Sequence, residues 1–146
     1  MHARIRYGMV GGGQGAFIGA VHRMAARLDD QYELVCGAFS STAAKSLQSG
    51  LELNVARERA YPDYETMFER EAALPADKRM QCVVIATPTG THLAIASAAL
   101  GQVFGDFAAW LSLDHLDNHG QPQTFGNTTA KTGAPATAGT GFGFRL

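Results

Sequence analysis

A chain of 146 residues with a formal net charge of -1 has room for one domain with a real core. Its 12 basic and 13 acidic side chains form no basic patch or charged tail, which argues against nucleic acid or an anionic membrane as a partner. No apolar run approaches the length of a membrane span, and Met1-His2-Ala3-Arg4 leads straight into an apolar run without a secretory pattern, so a cytoplasmic location is expected.

Residues 5–10 are a compact apolar run suited to a central parallel strand. Gly11-Gly12-Gly13-Gln14-Gly15-Ala16-Phe17 follows, a glycine-rich turn opening into a helix. That order suits the pyrophosphate of a dinucleotide. In the pattern G-x-G-x-x-A, Gly11 permits the tight turn and Gly13 lets backbone approach a phosphate. Ala16 is small enough for the helix to lie flat on the strand. The free N–H groups and positive dipole end of the helix then face the anion, so Gln14, Gly15 and Phe17 join the expected cofactor contacts. Glycine clusters also make ordinary turns and methyltransferase corners. A methyltransferase usually carries an acid just before its glycines, where this chain has Met9 and Val10. The helix is expected over residues 14–28, with Phe17, Val21, Met24 and Leu28 at helical spacing and His22, Arg23 and Arg27 pointing elsewhere.

Residues 33–39 form the second expected strand, and Ser40-Ser41-Thr42 supply caps for the helix that follows. An NAD site normally places Asp or Glu at the end of this strand to hold both ribose hydroxyls. None occurs between Phe39 and Lys45, so nothing there repels a 2′-phosphate, and Ser40, Ser41 and Lys45 could bind one. NADP is therefore favoured over NAD; the alternative is that the serines only cap the helix. Pro62-Asp63 opens a short helix with Asp63 as its cap, carrying Tyr64, Met67 and Phe68. Residues 81–86 are the clearest buried strand, and Pro88 stops it. In Thr87-Pro88-Thr89-Gly90-Thr91-His92, hydroxyls and His92 could reach a ribose or phosphate, although a lone histidine near a helix start is more often structural. Thr91 begins a helix running through Leu100. Strands alternating with helices give an α/β fold with a parallel sheet, whose ligands bind beyond the carboxyl ends of the strands. Cys36 and Cys82 lie in expected strands and read as buried reduced thiols.

Together these pieces resemble the nucleotide-binding half of the Gfo/Idh/MocA oxidoreductases. Tyr7-Gly8-Met9-Val10-Gly11-Gly12-Gly13 looks like that family's first strand and turn, and Tyr61-Pro62-Asp63-Tyr64-Glu65-Thr66-Met67-Phe68 like its stretch before the fourth strand. Residues 83–92 look like its A-T-P-x-x-x-H segment. The resemblance covers residues 4–100 and implies a Rossmann-type sheet flanked by helices. It also implies NAD or NADP bound at the glycine turn and at Thr87, Pro88, Thr89 and His92. In the family, hydride transfer then oxidises a sugar or polyol.

The resemblance stops inside a motif. The family continues to a strand ending in Glu-Lys-Pro or Asp-Lys-Pro, but here no lysine lies between Lys78 and Lys131. The family's substrate domain has no counterpart, and no catalytic residue can be named. Composition changes at the same place: residues 1–100 hold ten Val or Ile and all six Glu, whereas 101–146 hold one Val, no Ile, no Glu, eight Gly and six Thr. Phe104, Phe107, Trp110, Leu111 and Leu113 suggest a packed helix within 101–119, and 120–146 reads as a disordered tail. Asp114-His115-Leu116-Asp117-Asn118-His119 matches no metal motif and reads as a solvated loop or helix end. The expected activity is cofactor binding without independent catalysis, with a sensor or docking module as the alternative. An uncovered sheet edge would favour a homo-oligomer or aggregation. A change of reading frame near Leu100 would account for the break. Translating all three forward frames of the coding DNA from the Ala98 codon is then expected to show the lysine–proline motif in another frame; its absence from both would dismiss the idea.

Overall fold

The computed structural model describes residues 3–103 and two short strands at 114–116 and 122–124. These belong to two compact units, Met1–Val103 and Phe104–Leu146. The first is built on three parallel strands, β1 (Ile5–Gly11), β2 (Tyr32–Ala38) and β3 (Cys82–Ala86), in the order β2-β1-β3. Crossovers between them carry the helices α1 (Phe17–Arg27), α2 (Ala43–Glu52), α3 (Tyr64–Ala72) and, after β3, α4 (His92–Gln102). The expected α/β Rossmann-type sheet is present.

β1 is apolar because both its faces are covered. Tyr7 and Met9 join a cluster with Phe39 and Val55, flanked by Ala26 of α1 and Leu53 after α2. Gly8, on the opposite face, lies against α3: a Cβ there would fall 2.4 Å from Met67 Cε, 2.6 Å from Met80 Sδ and 2.9 Å from Cys36 Sγ. The β1–β2 register skips Val35 between the Tyr7–Leu34 and Gly8–Cys36 pairs. Beyond β2, a parallel bridge from Gly37 to Ala60 and a bond from Tyr61 N to Gly37 O (2.8 Å) extend the sheet.

α1 differs from its expected form in two ways. It begins at Phe17, not Gln14, because Gly15 takes a φ of +80° and Ala16 N turns back to Gly13 O at 3.0 Å. Its orientation is also reversed. Phe17 (82%), Met24 (66%) and Leu28 (84%) are exposed, whereas Gly19 is buried and His22, Arg23 and Ala26 are half-buried. Positions 19, 22, 23 and 26 satisfy helical spacing as well as 17, 21, 24 and 28 do, and contact with the turn beneath selects the former. Thr42 is the N-cap of α2 but makes no side-chain cap bond; Ser40 Oγ accepts from Thr42 N at 3.3 Å instead.

α3 starts as expected. Asp63 accepts from Thr66 N at 2.7 Å, and that bond holds its carboxyl below the usual value. At the other end, the fully buried Glu71 takes two bonds from Arg59 (2.9 and 2.7 Å), one from Tyr61 Oη (3.0 Å) and one from Met80 N (2.9 Å). Burial, then the Glu71 carboxylate, raises the Tyr61 phenol's pKa, so it stays a donor. Ser46, also fully buried, accepts from Phe39 N (2.9 Å) and donates to Tyr61 O (2.5 Å). Cys36 and Cys82 are free thiols; burial pushes Cys36 well up and the partly buried Cys82 to about 11.

In the second unit, β4 (Asp114–Leu116) and β5 (Pro122–Thr124) pair antiparallel, with His115 opposite Gln123. Strand backbone thus occurs at 114–116, read as loop or helix end, and at 122–124, inside the stretch read as disordered. The apolar residues within 104–113, together with residues 117–121 and 125–146, lie outside the described residues. No helix among the described residues is long and apolar enough to cross a membrane.

Arg59→Met would leave the Glu71 carboxylate in the interior with only neutral donors. It is expected to cost about 3 kcal/mol of stability, read as a lower urea midpoint at unchanged slope; an unmoved midpoint would show that Tyr61 and Met80 N suffice.

Candidate dinucleotide site

The carboxyl ends of the three strands bring the expected segments together. Gly11 has a φ of +78°, open to glycine at least strain, and a Cβ on it would stand 2.6 Å from Ala86 O and 2.9 Å from Thr87 Cγ2. The turn after β1 is thereby pressed against the end of β3. On its other side Gly13 N donates to Phe39 O at 3.1 Å, tying the turn to the end of β2. A Cβ on Gly13 would fall 2.5 Å from Phe39 O and 2.7 Å from Ser49 Oγ, so the glycine is required by its own neighbours. Gln14 N donates to the Ser49 hydroxyl at 3.0 Å, and Ser49 is itself buried in α2.

α1 opens behind this turn without a cap. Ala16 occupies the N-cap position in extended backbone and makes no side-chain bond, and no acid stands in the first turn. The N–H groups of Phe17, Ile18 and Gly19 have no carbonyl one turn earlier within the helix to accept them. Together with the helix dipole they make this end of α1 electropositive, at the carboxyl edge of the sheet.

A close approach of helix to turn occurs at another pair. A Cβ on Gly19 would lie 2.3 Å from both Gly12 Cα and Gly12 O, and Gly12 itself has a φ of +69°. Arg23, one turn further along, donates from Nη1 to Gly12 O at 2.5 Å. Gly12, Gly19, Arg23 and Ser49 shape this turn, and none of them was expected to. The signals were faint: a second glycine three positions beyond Ala16, and a Ser-Gly pair inside α2.

In the third segment the polar groups mostly hold their own turn. His92 Nε2 lies 2.7 Å from Thr87 O and therefore carries the proton in that bond. Thr91 Oγ1 lies 2.7 Å from Pro88 O and 2.8 Å from Thr87 Oγ1. Pro88 and Thr89 remain exposed at the rim. Ser40 is half-buried at the end of β2, and Ser41 and Lys45 are exposed.

The profile of the Gfo/Idh/MocA oxidoreductase family, NAD-binding Rossmann fold, matches residues 5–103. An uncharacterized oxidoreductase of Bacillus subtilis (strain 168), YfiI, is 42% identical over 97 residues, which are 66% of this chain and 24% of that protein. An inositol dehydrogenase homolog from Azotobacter vinelandii, solved with NAD+ and with NADH and myo-inositol, is 45% identical with a TM-score of 0.66. That match covers 70% of this chain and 26% of the homolog. An oxidoreductase from Sinorhizobium meliloti is 51% identical, with a TM-score of 0.64 over 69% of this chain and 27% of its own. The chain spans about a quarter of the length of these relatives.

If helix and turn meet through Gly19, then Gly19→Ala should cost about 2 kcal/mol by overpacking, and Ala16→Gly clearly less. Thermal unfolding of the two variants measures the difference, and the reverse ranking would place the contact at Ala16.

Proposed function

The chain belongs to the Gfo/Idh/MocA oxidoreductase family and carries its NAD-binding Rossmann domain, and on that premise we propose how its residues hold the dinucleotide. The observation that carries this reading is the uncapped N-terminus of α1 behind the Gly11-Gly12-Gly13 turn. The pyrophosphate lies against the N–H groups of Phe17 and Ile18, with Gln14, Gly15 and Ala16 around it. Thr87, Pro88, Thr89 and His92 form the opposite wall. There His92 acts by fixing the Thr87 carbonyl and hence the direction of the Pro88 turn. The adenosine ribose meets Ser40 and Ser41, with Lys45 on the first turn of α2 as the only cation between residues 39 and 45. No carboxylate there repels a 2′-phosphate, so NADP is the preferred form.

The bound dinucleotide supplies the site where a hydride is accepted or released. The substrate class is a sugar or polyol, as with the myo-inositol held by the homolog. Turnover needs a group that takes the hydroxyl proton while the carbon is held against the nicotinamide. We assign no residue of the 5–103 match to this step, and read the domain alone as one that binds the cofactor without turning over.

Fluorescence titration of the full chain with NADPH and NADH tests the reading. Binding of both is expected, with NADPH tighter by about fivefold at low salt through a charge-assisted contact to exposed Lys45, and the gap narrowing as salt rises. Tighter NADH would refute the 2′-phosphate assignment; no binding of either would refute the site.

A further inference from the structure

The middle peptide of the glycine turn is gripped from both ends. Its carbonyl, Gly12 O, accepts from Arg23 Nη1 at 2.5 Å, and its N–H, on Gly13, donates to Phe39 O at 3.1 Å. Arg23 reaches that carbonyl because long side chains lean toward the N-terminus of their helix. Its Nη1 also lies 3.4 Å from the Sδ of Met9, which is fully buried. The guanidinium is thus tucked between α1 and the sheet. Burial there lowers its pKa while leaving it a cation.

Placing a cation there costs hydration, and a neutral apolar residue would pack the same space more cheaply. The turn explains the choice. Gly11, Gly12 and Gly13 are consecutive, and a peptide between two glycines meets no Cβ on either side when it rotates. Each peptide carries a dipole of about 3.5 D. With the Gly12 carbonyl inward, the negative end of that dipole is buried against Arg23. Rotated outward, the same oxygen would face the mouth of the site, where an anion must sit. Ser49 restrains the next residue through Gln14 N, but a neutral hydroxyl on a neighbouring peptide does not hold the Gly12 carbonyl.

We propose that Arg23 is a positioning residue for pyrophosphate binding, holding the Gly12–Gly13 peptide with its carbonyl turned away from the ligand. This rests on the dinucleotide reading above. It also gives a reason for the orientation of α1: the face that presents Gly19 and Arg23 to the turn goes inward, and the apolar face goes out.

The test compares two ligands that differ in the pyrophosphate, ADP-ribose and adenosine, on the full chain and its Arg23→Met and Arg23→Lys variants, with thermal unfolding of each. Arg23→Met should weaken ADP-ribose about tenfold, the scale of one charge-assisted hydrogen bond, and leave adenosine within about twofold. Arg23→Lys keeps the charge without the fork and should fall between the two proteins. Equal loss for both ligands would reduce Arg23 to a structural role and overturn the proposal, as would unchanged ADP-ribose binding. Should Arg23→Met fail to fold, the ADP-ribose to adenosine ratio of Arg23→Lys decides: a selective drop supports positioning, and an unchanged ratio overturns it. Failure of the unsubstituted chain to bind ADP-ribose, NADH or NADPH would instead remove the site itself, a result distinct from any of these.

Discussion

Backbone rests on backbone where the turn after β1 meets α1. With no room for a Cβ at Gly19 beside Gly12, helix and turn approach more closely than side chains would allow. That approach selects which face of α1 goes inward. It brings Arg23 within reach of the Gly12 carbonyl and leaves Phe17, Met24 and Leu28 in solvent. It also places the open N–H groups of the helix at the carboxyl edge of the sheet, where ligands of such sheets bind. The site is therefore a product of one steric contact, and the electrostatics follow from it.

The stretch from Tyr61 to Phe68, which served as a family signature, proves to be mechanical. Tyr61 uses all three of its polar groups: N–H to Gly37 O, carbonyl to Ser46 Oγ, phenol to Glu71. Asp63 caps α3, and Met67 fills the hollow over Gly8. None of these touches the glycine turn directly. They fix β2 and α2, and α2 in turn brings Ser49 under Gln14. A single buried carboxylate, Glu71, joins the short turn at Arg57–Arg59, the start of this stretch and the approach to β3.

What could be read from the chain alone follows the reach of each signal. The strands were legible because a strand covered on both faces must be apolar throughout, as in Tyr7-Gly8-Met9-Val10. The Asp63 cap was legible because it acts over three residues. The buried face of α1 was not. Two sets of positions fit helical spacing equally, and the deciding partner, Gly12, lies outside the helix. Ser49 was hidden for a similar reason: its partner is 35 positions away. The Ser40-Ser41-Thr42 caps were half right, since Thr42 stands at the helix start but its hydroxyl caps nothing. Periodicity finds elements; contacts between elements have to be seen.

The hollow over Gly8 is filled by sulfur. Met67 and Met80 meet there with Cys36, and Met9 lies across the strand, all of them fully buried. Thioethers suit such a space because they are flexible and polarisable, and they conform to a strand with no side chain of its own. They also make the native state a shield against oxidants, since conversion to the sulfoxide needs access that the folded core denies. Unfolding lifts that shield. A chain oxidised while open would have to return polar, chiral sulfoxides to a space shaped for thioethers, so each opening under oxidising conditions would carry a chance of being irreversible. The lifetime of the domain in such conditions is then set by the fraction of time it spends open while reclosing outpaces oxidation, and by how often it opens when oxidation is faster.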